Sequence, residues 1–209
     1  MNIRKALVVG GSNGIGLAVV VELAGKCGQV VIMDRVEPDC TLPDKTLPDN
    51  VSFVRFNLLD IGIEDKLDES GLKPDDIDAM VITAGFGRIA PFETFLQKEI
   101  ENVYGVNVVA LTRLVRYYYP RMLHGGDFYC AVMGSIAGLL ASPMISLYSA
   151  TKAAICKLAE GVNAELEACG SANRILNVAP GSVKGTKFCG ASSNDLSLTG
   201  GLATEIVRR

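Results

Sequence analysis

The stretch Val8-Val9-Gly10-Gly11-Ser12-Asn13-Gly14-Ile15-Gly16 joins a short apolar run to an amphipathic segment. Residues 6–9 are apolar and partly β-branched, as a buried parallel strand is, and Ile15, Val19 and Leu23 recur at helical spacing. Glycines in such a turn let the backbone approach a pyrophosphate, and the following helix N-terminus offers unpaired N–H groups. The stretch therefore favours a phosphate-binding loop, although a glycine-rich turn that merely joins strand to helix remains open.

A carboxylate stands where such a loop requires one. Asp34 ends the next apolar run, 18 residues after Gly16. At that position a carboxylate can accept hydrogen bonds from an adenosine ribose and would repel a 2′-phosphate. The sequence therefore favours NAD over NADP. Arg35 keeps NADP open, because its side chain could meet the phosphate instead.

Strand-like and helix-like segments alternate along the whole chain, which is typical of parallel βαβ units. We predict one Rossmann-type domain over residues 1–209: an α/β, doubly wound parallel sheet of order 3-2-1-4-5-6 with helices on both faces, in three αβα layers. Prolines 38, 43 and 48 predict a loop over 37–50 in place of a crossover helix. The predicted strands are 5–9, 29–33, 51–56, 77–83, 126–133 and 174–179, and the predicted helices 14–26, 62–70, 92–121 and 147–169.

Composition narrows the class of protein. Hydrophobic residues form 49% of the 209 and charged residues 21%, and no apolar run reaches the roughly 20 residues of a membrane span. Without a signal-peptide pattern at the N-terminus, we expect a soluble, cytoplasmic protein with no membrane partner.

Net charge and cysteine content argue against a nucleic-acid-binding protein and against a metalloprotein. A net charge of −3 argues against a nucleic-acid surface, although arginines and tyrosines interleave over 113–121. The alternative there is a helix end whose tyrosines pack while its arginines extend to solvent. One histidine and six cysteines without a C-x-x-C pair predict no metal site, and the cysteines are expected to be reduced packing residues.

A second group of residues points to acid–base chemistry. Ser135 ends the fifth predicted strand, and Tyr148 and Lys152 follow at i and i+4 on one helix face. A free phenol has a pKa of about 10, so a tyrosine that acts as a base near neutrality needs its phenolate stabilised by about 4 kcal/mol. An ammonium about 4 Å away supplies roughly that at an effective dielectric near 20. Asn107 lies in an apolar stretch and must be fixed by hydrogen bonds, in a structural or a catalytic role.

These motifs, taken in order, resemble those of the short-chain dehydrogenase/reductase family over essentially the whole chain. The glycine loop resembles the family's cofactor loop, residues 84–85 the end of its N-N-A-G motif, and residues 180–181 its P-G motif. The resemblance implies that Asn107, Ser135, Tyr148 and Lys152 are the catalytic residues. It implies that cofactor contacts fall to Gly10, Ser12, Asn13, Gly14, Ile15, Gly16, Asp34, Arg35, Asn57, Leu58, Ala84, Gly85, Tyr148, Lys152, Pro180, Gly181 and Val183.

The chain departs from the family pattern at several positions. Val9 and Thr83 replace a threonine and an asparagine, Asn57 replaces an aspartate, and Gly185 intervenes before Thr186. Residues 202–209 resemble the helix that precedes the family's seventh strand. We therefore expect no seventh strand, and an exposed sheet edge at the sixth unless a partner or the tail covers it.

The resemblance implies an NAD(P)-dependent oxidoreductase that interconverts an alcohol and a carbonyl. A non-catalytic dinucleotide-binding sensor or interaction protein on the same fold is the alternative. A homodimer or homotetramer is implied, built on the helices at 92–121 and 147–169, with Ala153, Ala154 and Lys157 near the seam. The substrate stays open, because residues 136–145 and those after Thr186 form no chemically distinctive set.

Overall fold

A computed structural model describes residues 3–38, 47–183, 186 and 196–208. Six parallel strands form one sheet in the order β3-β2-β1-β4-β5-β6, which confirms the predicted topology. In the central register Val8 lies opposite Ile32 on one side and Val81 on the other. The strands are β1 Lys5–Val9, β2 Gln29–Asp34, β3 Val51–Arg55, β4 Ala79–Ile82, β5 Tyr129–Met133 and β6 Ile175–Val178.

Helices cover both faces of the sheet. Side chains of α1 and α6 share one buried cluster, and those of α2, α4 and α5 share the other. Because successive strand residues point to opposite faces, Leu7 joins the second cluster and Val8 the first. The three αβα layers are therefore confirmed. The helices are α1 Gly14–Ala24, α2 Ile63–Glu69, α3 Gln97–Tyr104, α4 Leu111–His124, α5 Ser146–Ala168 and α6 Leu196–Arg208.

The prediction of one continuous helix over 92–121 is wrong. Phe92–Thr94 is a single 3₁₀ turn, and Leu96 is extended. The Glu99 carboxylate accepts the Leu96 N–H at 2.9 Å, so α3 begins only at Gln97. The helix then widens into a π-helical segment, Gly105–Ala110, before α4 continues to His124. Apolar spacing located the buried residues between Val103 and Val115, but Phe92 and Leu96 are exposed, and the spacing did not report these changes in backbone hydrogen bonding.

Most of the arginines and tyrosines over 113–121 make contacts within the chain, whereas Arg116 is exposed. Arg113 pairs with Glu64, and Tyr118 is fully buried and stacks on Phe128. Arg121 donates to backbone carbonyls in the loop before β5. These contacts favour the packing alternative for this stretch.

The expectations for the cysteines and for the loop over 37–50 can be compared with the structure only in part. Cys27, Cys130 and Cys156 are buried packing residues, and burial raises the pKa of the Cys130 thiol to about 12. Cys169 is exposed, which the packing expectation did not foresee. Cysteines 40 and 189 lie outside the described residues, as do Pro43 and most of the loop expected over 37–50.

The C-terminal segment is helical, as the sequence predicted. Ala203 and Ile206 of α6 are buried against α1, and the Tyr129 hydroxyl donates to the Ile206 carbonyl. Within the described ranges β6 is the edge of the sheet, paired with β5 alone. Over the same ranges, every helix is too short or too polar to cross a bilayer.

We expect Asp78→Asn to lower the free energy of unfolding by about 2 kcal/mol at pH 7, because it weakens charge-assisted hydrogen bonds. The Asp78 carboxylate, nearly buried, accepts the Arg4 backbone N–H at 2.8 Å and its guanidinium at 2.7 and 3.0 Å. Arg4 holds the pKa of Asp78 below its usual range. The contribution is therefore present above about pH 3.9 and lost as pH falls through the lower folded value.

Urea unfolding of the two proteins at pH 7 and pH 3 measures the effect. Asp75→Asn removes a neighbouring exposed carboxylate and is the matched control. If both variants lost the same free energy of unfolding, the effect could not be assigned to the hydrogen bonds between Asp78 and Arg4.

Candidate active site

The glycine loop packs directly against the end of β4. Gly10 has a φ of +84°, and a Cβ there would lie 2.5 Å from the Ala84 backbone nitrogen. A Cβ on Gly16 would lie 2.1 Å from the Gly10 carbonyl oxygen. Both positions therefore exclude any side chain, which is a tighter constraint than a simple strand-to-helix turn needs.

Polar side chains fix this loop on both sides. The Thr83 hydroxyl lies 3.1 and 3.0 Å from the carbonyl oxygens of Val9 and Gly10, so this departure from the family pattern supports the loop. Ser12 is fully buried and donates from its hydroxyl to the Val36 carbonyl at 2.6 Å. Its backbone N–H donates to Asp34 at 3.1 Å, which places that carboxylate beside the loop.

A cleft of about 1070 Å³ runs across the carboxyl ends of the strands. Most of the residues proposed from the sequence line it, whereas Ser12 and Asn107 are buried behind its wall. The strand order separates its two ends, with β1, β2 and β3 on one side and β4, β5 and β6 on the other. The proposed residues that line it are Gly10, Asn13, Gly14, Ile15, Gly16, Asp34, Arg35, Asn57, Leu58, Ala84, Gly85, Ser135, Tyr148, Lys152, Pro180, Gly181 and Val183.

Lys152 is the buried cation of this site. It is 2% exposed, and its Nζ donates to the Met133 carbonyl oxygen at 2.6 Å, at the end of β5. Burial lowers the pKa of its ammonium to about 8. Nζ lies 5.6 Å from the ring centroid of Tyr148, in agreement with the i, i+4 spacing. The group therefore stays predominantly charged at neutral pH next to the tyrosine.

Asn107, in the π-helical segment, links three parts of the wall. Its side-chain oxygen accepts the Phe86 N–H at 3.0 Å, and its amide nitrogen donates to the Phe86 carbonyl at 2.8 Å. The same nitrogen donates to the Thr151 hydroxyl at 3.0 Å, and that hydroxyl donates to the Tyr148 carbonyl at 2.8 Å. Thr151 therefore ties Asn107 to α5, a link that the sequence analysis missed because Thr151 carries no distinctive spacing of its own.

Ser135 and Tyr148 face the cleft from the β5–α5 side. The Ser135 Oγ accepts the Ala137 N–H at 3.1 Å and caps a short 3₁₀ turn, Ile136–Gly138. The loop after β4 passes so close to Tyr148 that a Cβ on Gly87 would lie 2.6 Å from its Cδ2. The loop after β4 and the side chains of Ser135 and Tyr148 thus form one wall of the cleft.

The sequence analysis also missed several residues of the lining. Some of them come from the loops after β4 and β5, whose sequences show no periodicity, so their convergence depends on the packing of β4 and β5, whereas Asn102 and Val106 come from α3 and the π-helical segment. Thr186 is buried, lines the cleft and donates to the Val183 carbonyl at 3.1 Å. The further lining residues include Phe86, Arg88, Ile89, Asn102, Val106, Ile136 and Ile145.

A sequence model of the family described as short chain dehydrogenase matches residues 4–196. The chain belongs to the short-chain dehydrogenase family. It is 30% identical over 195 residues to a short chain dehydrogenase of Pseudocercospora fijiensis, with 87% of this chain and 60% of that protein covered.

Two solved structures share the fold. A short-chain dehydrogenase from Sphingobium yanoikuyae in complex with NADPH superposes with a TM-score of 0.79 at 24% identity, covering 98% of this chain and 83% of that one. A 4-hydroxyisoleucine dehydrogenase complexed with NADH gives 0.73 at 23% identity, covering 87% and 74%. The chain spans between 49% and 78% of the length of the first curated relatives it matches.

We expect the stability difference between a protein with Lys152 and its Lys152→Met variant to depend on pH between about 8 and 10.5. The folded chain releases the Lys152 proton near pH 8, and the unfolded chain near its ordinary value of about 10.4. Between these values the unfolded chain binds more protons, so the protein with Lys152 gains stability as pH rises. The gain is about 3 kcal/mol over the window.

Denaturant unfolding of both proteins at pH 7, 9 and 10.5 measures this gain. Both proteins carry Tyr148→Phe, so that no phenol coupled to Lys152 titrates in this window, and the contributions of the other shared groups cancel in the difference. A difference that stays constant with pH would show that Lys152 keeps its ordinary pKa in the folded chain.

Proposed function

We propose that this protein is an NAD-dependent oxidoreductase that interconverts an alcohol and a carbonyl compound. The observation that carries the proposal is the convergence of Ser135, Tyr148 and Lys152 on one end of a cleft whose other end holds the glycine loop and Asp34. Membership of the short-chain dehydrogenase family supports the same chemistry.

The residues at the β1–β3 end fit a dinucleotide. Positions 10 and 16 exclude side chains, which leaves bare backbone and the N-terminus of α1 for a pyrophosphate. Asp34, fixed by the Ser12 and Arg35 backbone N–H groups at 3.1 and 2.7 Å, is available to ribose hydroxyls. A bound nicotinamide ring supplies or accepts the hydride, and with it both electrons of the reaction.

The chain's own groups then manage the proton and the reacting oxygen. Tyr148 exchanges a proton with that oxygen, giving it as a carbonyl is reduced and taking it as an alcohol is oxidised. The ammonium of Lys152 favours the phenolate of Tyr148 and reaches the nicotinamide ribose. Ser135 donates its hydroxyl hydrogen to the reacting oxygen and positions it.

Asn107 acts from behind the wall in this scheme. Its side chain is committed to Phe86 and Thr151, so it holds the loop after β4 against the Tyr148 ring. We propose that this order also supports a proton-relay water. Its contribution is that of a positioning residue.

The homodimer or homotetramer implied by the family resemblance stays a prediction. Ala153 and Ala154 of α5 are half-buried in the single chain, and Lys157 is exposed and pairs with Glu160. These positions lie off the cleft side of α5, where a second copy could pack without closing the site.

Tyr148→Phe is expected to lower turnover by about 10²–10⁴-fold while cofactor affinity stays within twofold of wild type, because only the exchangeable proton is lost. Reduction of a carbonyl panel with NADH, followed by cofactor absorbance, measures the rate, and fluorescence titration measures the affinity. Tyr119→Phe removes a hydroxyl on α4, outside the cleft lining, and is the control. Wild-type rates in Tyr148→Phe would refute the role. Tight NAD binding without turnover of any substrate would favour the non-catalytic sensor.

Asp34→Asn is expected to improve NADP affinity relative to NAD by about tenfold or more, because it removes a negative charge that repels the 2′-phosphate. Dissociation constants for both cofactors, measured at one ionic strength, test this expectation. Asp60→Asn removes a carboxylate that does not line the cleft, although Asn57 and Leu58 of the same loop do, and is the control. A wild-type protein that binds NADP as tightly as NAD would refute the role of Asp34 and favour Arg35 as a phosphate partner.

A further inference from the structure

Three isoleucines surround the proposed reacting groups. Ile136 follows Ser135 directly, Ile145 precedes Tyr148 by one helical turn, and Ile89 lies in the loop that packs against the Tyr148 ring. All three line the cleft, and Ile89 and Ile136 remain 70% and 48% exposed. Exposed apolar side chains that cluster in a cleft mark a surface that binds apolar ligands.

The two loops that carry these isoleucines are joined to each other. The Ala90 N–H donates to the Met144 carbonyl at 2.8 Å, one residue from Ile89 and one residue from Ile145. Met144 has a φ of +66° and is the one non-glycine residue with positive φ in the described ranges. A backbone conformation that L-residues rarely adopt is therefore maintained where the two walls meet.

The wall that runs from β5 to Tyr148 carries no charge. No Asp, Glu, Lys or Arg stands between Met133 and Lys152. Leu139 and Leu140, three and four residues after Ile136, are also exposed, at 61% and 63%, although they do not line the cleft. The segment that carries Ile136 and Ile145 is therefore uncharged and rich in exposed apolar side chains.

Among the described residues that line this end of the cleft, Arg88 and Lys152 carry charge, and both already have partners. The Arg88 guanidinium lies 3.2 Å from the Glu99 carboxylate and 3.0 Å from the Thr94 carbonyl, and it stacks over the Phe95 ring at 4.6 Å. Its charge is thus balanced by the carboxylate of α3. A sugar or polyol would find few hydrogen-bond partners among these side chains, and its hydroxyl groups would lose water without replacement.

We propose that the β4–β5 end of the cleft is a binding site for an aliphatic chain, so that the substrate is a ketone or secondary alcohol with an extended apolar substituent. The inference rests on the proposed oxidoreductase function and specifies its substrate class. The reacting oxygen meets Ser135 and Tyr148, and the chain lies along Ile89, Ile136 and Ile145.

Affinity for a series of 2-alkanones from four to ten carbons tests this site. The Tyr148→Phe protein loaded with NADH is used for binding, so that affinity is measured without turnover, and wild-type kcat/KM is measured in parallel. Each added methylene is expected to tighten binding and raise kcat/KM by up to about fourfold until the wall ends. Polyols of equal carbon number are expected to bind at least tenfold more weakly than the six-carbon ketone.

Ile89→Asn and Ile136→Asn are expected to flatten the dependence on chain length while NADH affinity stays unchanged, and Ile89→Val is expected to retain the dependence. Ile61→Asn changes an isoleucine that is 92% exposed and does not line the cleft, and serves as the control. NADH binding and far-UV circular dichroism establish that each variant is folded.

The outcomes separate the two proposals. A flat series, or polyols preferred over ketones in a protein that turns substrates over, overturns the aliphatic site and leaves the oxidoreductase function standing. Asparagine variants that change only the sedimentation coefficient overturn it in favour of contact with a second copy of the chain. NADH binding with neither alkanone affinity nor any turnover overturns both proposals.

Discussion

The close backbone contact between the ends of β1 and β4 is the constraint on which the rest of this structure depends. The Val9 carbonyl accepts the N–H groups of the two residues that follow β4, at 2.8 and 3.0 Å, and Gly10 lies directly against Ala84. This contact fixes where α1 begins and forms the floor of the cleft. It also directs the chain after β4 towards α5, so that a Cβ on Gly85 would lie 3.1 Å from the Nζ of Lys152. The backbone contact between β1 and β4 thus positions residues at both ends of the cleft.

The other half of the site is organised around a buried charge. The Lys152 ammonium donates to the Met133 carbonyl of β5, and burial lowers its pKa to about 8. Burying a cation of this kind lowers the stability of the fold, and the packing of the surrounding strands and helices must offset that loss. Asn107 and Thr151 add a fully paired amide and hydroxyl beside it. The network orders α5 and the neighbouring loop together, as the proposed role of Tyr148 as proton donor requires.

The fold was largely predictable because buried parallel strands must be continuously apolar and each is followed by a helix. All six strands fall within the predicted ranges to within about three residues, which is the usual uncertainty of such boundaries. The helix over 92–121 failed for a physical reason. The apolar residues of this stretch keep a helical spacing, and that spacing contains no signal of the helix start after Leu96 or of the widened turn around Asn107.

The sequence by itself determined the sheet order, the side-chain-free turn at Gly16 and the shared helix face of Tyr148 and Lys152, because each depends on local spacing or on the rules of chain crossover. Only the tertiary structure decided that Thr151 joins Asn107, and that residues of the loop after β4 face those of the loop after β5. These pairs are separated by 44 or more residues, and no short-range pattern records which loops meet. Their proximity follows from the adjacency of β4 and β5 and from the packing of α5 on the sheet.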